Sequence, residues 1–178
     1  MKTNILLGIF LIIFWGNSCK ENTKNKDKNF KETQKTSLSS DFMIIPPGTK
    51  PVVIDTFDNG KVMKVHFVDK NNLSEKYEKI FYQSGEVFIE GKLVNDKREG
   101  LWLSYYENGT IWSLGNYSNG LRNGKSEVYY DNGRLRFVKN YKNDVPVGIW
   151  TFYDKNGDLV GEIEYQNGNI VRKSGIFE

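Results

Sequence analysis

The sequence predicts an all-β protein, with tandem antiparallel β-hairpins forming an elongated twisted sheet. Three observations carry that expectation. Gly85, Gly109, Gly133 and Gly157 recur every 24 residues. Three more columns keep the same register: Phe81, Tyr105, Tyr129 and Tyr153; Leu93, Tyr117, Tyr141 and Tyr165; Asn95, Asn119, Asn143 and Asn167. Four columns in one register define an internal repeat. The second observation is composition. Ten Tyr, eleven Phe and four Trp accompany 17 Gly and only 4 Pro, which suits short strands joined by Gly turns. The third is alternation. Val87, Ile89, Gly91 and Leu93 fall on one side of a strand, as do Ile111, Ser113, Gly115 and Tyr117 in the next unit; Leu135, Phe137, Lys139, Tyr141 and then Leu159, Gly161, Ile163, Tyr165 follow. Glu90, Lys92, Asn116, Arg136, Asn140, Glu162 and Glu164 fall on the other side, predicting a half-buried sheet with one apolar and one wet face.

Taken in order, residues 1–18 read as an export signal. Lys2 precedes an apolar run from Ile5 to Trp15, which is too short to span roughly 30 Å of hydrocarbon as a helix. Small residues follow, then Cys19, the only cysteine. A lone Cys at this place cannot form an internal disulfide. The segment resembles a bacterial lipobox, although Gly16 stands where Leu is usual. That resemblance implies a lipidated Cys19 as the mature N-terminus and attachment to a membrane of the cell envelope, on its periplasmic or surface side. Residues 19–40 read as a flexible tether. From residue 20 on they hold six Lys against Glu21, Asp27 and Glu32, with too few apolar side chains to offset ordering entropy. Residues 41–178 hold 18 basic and 19 acidic side chains, so the basic balance belongs to the tether. No nucleic-acid partner is expected from a near-neutral domain.

Residues 41–80 read as a degenerate opening β-hairpin: Val52 to Phe57, the turn Asp58-Asn59-Gly60, then Val62 to Val68. Gly60 lies 25 residues before Gly85, a register slip of one. Residues 81–178 hold four repeat units. In each, an aromatic strand such as Leu101 to Tyr106 meets a tight turn, Glu107-Asn108-Gly109, whose glycine accepts positive φ. The return strand Thr110 to Tyr117 then enters a connecting loop, Ser118 to Gly124. One hairpin is marginal alone, but stacked hairpins share a continuous face.

The motifs Tyr105-Tyr106-Glu107-Asn108-Gly109, Gly115-Asn116-Tyr117-Ser118-Asn119-Gly120 and Gly148-Ile149-Trp150 resemble the MORN-repeat variant family, over about residues 80–170. Lys139 and Ile163 depart from its mid-repeat Gly, and Ser126 from a Trp. The resemblance implies a sheet of stacked hairpins used for binding or scaffolding. Many bacterial members are labelled antitoxins, a role poorly suited to an exported protein.

Chemistry is sparse. His66 is the only histidine and lies between Val65 and Phe67 on a strand, which excludes His-based triads and His-rich metal sites. Glu90, Glu162 and Glu164 are the only carboxylates on strands worth weighing as an acid pair, and a wet sheet face explains them better. Asp154, Asn156, Gly157 and Asp158 hint at a calcium loop but lack its twelve-residue pattern and read as a turn. No metal, no cofactor and no enzymatic activity are expected. Trp102, Trp112 and Trp150 with Tyr105, Tyr129 and Tyr153 form the candidate binding surface, the alternative being repeat core. The expected function is a membrane-anchored scaffold with a protein partner; a glycan- or peptidoglycan-binding envelope protein is the alternative.

Overall fold

A computed structural model describes residues 45–176. The signal segment, Cys19 and the tether lie outside the described residues. The chain forms one all-β sheet: β1 (Lys50–Thr56), β2 (Val62–Asp69), β3 (Asn72–Phe81), β4 (Val87–Val94), β5 (Lys97–Tyr105), β6 (Ile111–Ser118), β7 (Leu121–Tyr129), β8 (Leu135–Lys142), β9 (Val145–Pro146), β10 (Gly148–Tyr153), β11 (Leu159–Gln166) and β12 (Asn169–Gly175). Strands pair antiparallel in chain order, with the short β9 set aside against β8 and β10 taking its place in the path. At about 4.8 Å per strand, the eleven-strand path runs roughly 48 Å, nearly twice the length of one eight-residue strand.

Two alternating turns build this meander. At the hairpin tips the glycine N–H donates three residues back, as Gly109 does to the Tyr106 carbonyl (2.8 Å), while Tyr106 N–H donates to Thr110 (2.8 Å). The same pair of bonds closes the tips at Gly60, Gly85, Gly133 and Gly157. Gly109 has φ 78°, a conformation that Cβ-bearing residues resist. Asn108 Oδ1 accepts from Thr110 N–H (3.0 Å) and fixes the turn from within. The opening hairpin has the same tip geometry despite its one-residue slip.

At the other end the expected seven-residue connector is replaced by a two-residue turn. Asn119 (φ 52°) and Gly120 (φ 89°) join Ser118 to its partner Leu121, and Asn95-Asp96, Asn143-Asp144 and Asn167-Gly168 repeat the positive pair. Positive φ at both central residues is the two-residue hairpin turn that matches strand twist, and it explains the Asn column. Residues 121–124, expected as loop, are the start of β7. For the same reason β3 and β12, which the sequence reading does not name, are regular strands.

Each tip also carries a bulge, which corrects the predicted faces. Phe81 pairs with Val87, Tyr105 with Ile111, Tyr129 with Leu135 and Tyr153 with Leu159, each across a one-residue register shift. The extra residue (Phe88, Trp112, Arg136 or Val160) flips everything before it. Val87, Ile111, Leu135 and Leu159 therefore leave the face of Ile89 and Gly91.

Direct cross-strand partners share a face. One face, here the Trp face, runs Glu78–Gly91–Trp102–Gly115–Ser126–Lys139. The other, the Leu face, runs Val65–Lys79–Glu90–Leu103–Leu114–Glu127–Val138. The Leu face was expected to be wet, yet Leu103 is its most buried side chain (2% exposed) and Glu90 is 6% exposed. A single-layer sheet has no second layer to cover it, so long side chains shield the central rows on both faces. Glu90 is held by Tyr105, whose hydroxyl donates at 2.6 Å, and by Lys79 Nζ at 2.9 Å. Glu90→Ala would leave a half-buried ammonium and a phenol without their acceptor. We expect a loss of about 3 kcal/mol in urea denaturation. A loss below about 1 kcal/mol would mean that solvent replaces the carboxylate freely.

Candidate binding surface

The six aromatic residues singled out from the sequence do not form one surface. Trp102 and Trp150 lie on the Trp face. Tyr105, Tyr129 and Tyr153 lie on the Leu face, by strand alternation from Leu103, Glu127 and Thr151. Trp112 sits at a tip bulge.

Trp102 and Trp150 are core residues. Trp102 stands opposite Gly91 and Gly115, and its indole lies over Gly91. Its Nε1 donates to the Lys92 carbonyl at 3.0 Å, where the register shifts; Trp150 donates to Asn140 in the same way. Trp150 is wedged between Tyr141 and Tyr165, at 5.2 and 4.5 Å between ring centroids. At 3% and 8% exposure neither indole offers a face to a ligand. Tyr129 is buried as well and donates to Glu127 at 2.8 Å. Burial, then the carboxylate bond, pushes the Tyr105 and Tyr129 phenols well above their ordinary range.

Trp112 differs, being 39% exposed. It stacks on Phe88 (6.3 Å, 21°) and tilts against Tyr106 (6.3 Å), and Phe88 meets Tyr82 edge-on at 5.0 Å. These four rings form an aromatic shelf along the tips. Its tyrosines are pinned: Tyr82 donates to the Tyr105 carbonyl (2.8 Å) and Tyr106 to that of Tyr129 (2.8 Å), as Tyr130 in the next repeat does to Tyr153 (2.9 Å). Each hydroxyl bonds the backbone of the next hairpin, and the shelf therefore presents ring faces rather than free hydroxyls. The sequence reading named Trp112 but missed the other three rings. The signal for the tyrosines is the doublets Phe81-Tyr82, Tyr105-Tyr106 and Tyr129-Tyr130, in which the second member repeats with the same period.

Charge is divided between the faces. On the Leu face, cations and carboxylates cross-pair: Lys79–Glu90 (2.9 Å), Lys92–Glu75 (2.9 Å), Lys125–Glu127 and Arg172–Glu164 (3.0 Å). On the Trp face from β5 to β10 the charged register positions are Arg98, Arg122 and Lys139, with no carboxylate among them. Arg98 lies over Trp102 (4.2 Å) and Arg122 over Tyr141 (4.1 Å). Lys139 Nζ lies over Phe137 (4.2 Å) and Trp150 (4.7 Å). Only Arg122 reaches a carboxylate, Asp144 at the neighbouring turn (2.6 Å). Burial, then Arg122 and Arg136, holds the Lys139 ammonium below its usual range. Arg136, expected on the wet face, instead lies over Tyr130 at 5.4 Å, because it is the bulged residue.

The remaining candidates fall apart chemically. His66 Nε2 is 2.8 Å from Glu78 Oε2, with Lys64 Nζ at 3.8 Å from the same oxygen. Glu90 on β4 and Glu162 on β11 are six strand steps apart, about 29 Å, too far to act on one bond. Asp154 Oδ1 accepts from Asn156 and Asp158 N–H (2.8 and 2.9 Å), closing an ordinary tip; the Asp158 bond is the main cause holding its carboxyl low. Among the described residues no three His, Cys, Asp or Glu side chains cluster as a metal site, and no helix is long and apolar enough to cross a membrane.

An open sheet of hairpins, each touching only its neighbours, defines a β-repeat protein. Residues 98–119, 122–143 and 146–167 match the MORN repeat variant in three tandem copies, each copy one hairpin of this sheet. No curated protein matches the chain. Among solved structures, the chain is similar to TarM (15% identity, TM-score 0.35, 66% of this chain and 27% of that one). It is also similar to a mutant of S. aureus TarM in complex with fondaparinux, alpha-GlcNAc-glycerol and UDP (13% identity, TM-score 0.36, with the same coverage). The chain thus spans about a quarter of the length of these structures.

Proposed function

We propose that the protein is a non-catalytic scaffold of the bacterial cell envelope, anchored through a lipidated Cys19 and holding a protein partner on its repeat sheet. The observation that carries the reading is the sheet itself: three matched repeats within a one-layer platform roughly 48 Å long, with both faces laid open. The anchor is motivated by the position of the only cysteine behind the apolar run. An immunity-like role is one form of such partner binding.

Two measurements test it. A photoreactive residue at Ser126 on the Trp face, or at Asn116 on the Leu face, is expected to give a defined heterologous adduct in cells. A folded protein that yields no adduct from either face would sink the scaffold reading. Cys19→Ser is expected to move the protein from the membrane to the soluble fraction; if it stays bound, the lipid anchor is wrong.

A further inference from the structure

We propose that the Trp face, from β5 to β10, is the docking surface, and that it takes an acidic, aromatic-containing segment of a partner protein. This rests on the scaffold reading above and assigns it a face and a chemistry.

Charge comes first. Residues 41–178 are near neutral, yet Arg98, Arg122 and Lys139 share one face without a carboxylate in register, and Arg136 lies beside them at its bulge. Arg98, Arg136 and Lys139 rest on aromatic rings instead of acids. A cation over a ring keeps most of its charge available to an incoming anion, whereas the cross-paired Leu face has spent its own. Alternate strands lie about 10 Å apart, so an extended acidic chain crossing from β5 to β8 passes from Arg98 in one hairpin to the group Arg122, Arg136 and Lys139 in the next.

The shelf decides the class of anion. Exposed Trp112 and the half-buried Tyr82, Phe88 and Tyr106 form an apolar patch at the tips, their phenols already bonded to backbone. Arg, Tyr and Trp together are the composition of protein–protein hot spots. Sugar hydroxyls need acceptors as well as donors, and Arg and Lys supply only donors. The register positions of this face between β5 and β10 hold no Asp, Glu, Asn or Gln, so their side-chain acceptors are only the hydroxyls of Ser104, Ser113, Ser126, Tyr117 and Tyr141. An acidic peptide suits both the donors and the shelf.

The probe is a labelled Glu-Tyr copolymer, with binding to the full chain followed by fluorescence anisotropy. Combining Lys139→Gln with Arg136→Gln is expected to weaken binding about tenfold. The Leu-face pair Lys125→Gln with Lys142→Gln should leave it within about twofold. Trp112→Ala should weaken the copolymer further but leave polyglutamate unchanged. Circular dichroism and melting of each variant separate lost contact from lost fold. Equal loss from both faces, no binding, or tighter binding of dextran sulfate or phosphatidylglycerol vesicles than of the copolymer would each overturn the proposal. In cells, a Ser126 adduct that persists in the Lys139/Arg136 variant overturns this assignment and leaves the scaffold reading intact. No adduct from either face removes the scaffold reading first.

Discussion

Gly91→Ala is expected to destabilise the protein by about 2–3 kcal/mol, and Gly115→Ala by much less than 1. Both glycines occupy the same column, and Trp102 lies between them. The sheet treats them differently. A Cβ on Gly91 would lie 2.1 Å from Trp102 Cδ2 and 2.5 Å from Cγ, the base of the indole rather than a movable tip. The ring cannot retreat without losing its bond to Lys92 and its place beneath Arg98. A Cβ on Gly115 meets nothing nearer than Ser126 Oγ at 3.5 Å, an ordinary contact. Thermal melting of the two variants checks the claim, with a fall of roughly 5–10 °C expected for Gly91→Ala alone. Similar melting of both variants would mean that Trp102 swings aside at little cost. The contrast also explains the column. Glycine is required where a Trp folds back over it, and Lys139 and Ile163 are tolerated where the ring of Trp150 lies toward Tyr141 and Tyr165.

Stability is expected to fall steeply as pH rises above about 10. Burial raises the phenols of Tyr105 and Tyr129 above their ordinary value, with the bonds to Glu90 and Glu127 as the second cause, and it raises Tyr82, Tyr106 and Tyr141 in the same direction. The sign follows from proton counts. Below the unfolded phenol's pKa both states are protonated, and the contribution is fully present. Above it the unfolded chain loses protons that the folded chain keeps. Stability then drops by about 1.4 kcal/mol per pH unit for each buried phenol, until the folded pKa is passed. Tyr105 and Tyr129 alone therefore give a slope near 3 kcal/mol per unit, since both are largely shielded. Melting temperature followed from pH 8 to 11.5 should stay flat and then break downward. The tyrosinate absorbance of these five raised phenols should appear with unfolding rather than before it. In Tyr105→Phe the slope should be shallower by about one phenol. A melting curve that stays flat to pH 11.5 contradicts the argument.

The sequence was most legible where a local rule decides the answer. The tip glycines and the aromatic strands each reflect φ or burial within a few residues, and the structure has the glycines at tight turns and the aromatics on strands. The connectors were less legible. Ser118 to Gly124 looks like loop because Asn, Gly, Arg and Asn crowd together. In fact two of those residues turn the chain and the rest already pair. Face assignment failed at the bulges for a similar reason. One extra residue, such as Trp112 between Ile111 and Ser113, reverses the alternation without leaving a mark in composition. The candidate surface suffered most. Trp102, Tyr105 and Trp112 are close in sequence, yet one is covered, one reaches a carboxylate on the opposite face, and one lies open at a tip. Only the pairing register separates them. Net charge is equally blind to register, because a sum over residues 41–178 cannot show how two faces divide it.

Every strand on the main path pairs with its predecessor or, across β9, with the next one along. No partner has to be sought from a distant part of the chain. All-β proteins generally fold slowly because remote segments must meet before any pairing rewards them. Here each closure spans one tip or one two-residue turn, and the loop entropy of closing it is small. The register of a newly formed hairpin is set by its own glycine and asparagine, independent of what has yet to be made. A chain emerging from its N-terminus can thus add finished strands in order, growing as a crystal grows, from an edge that is always ready for the next row.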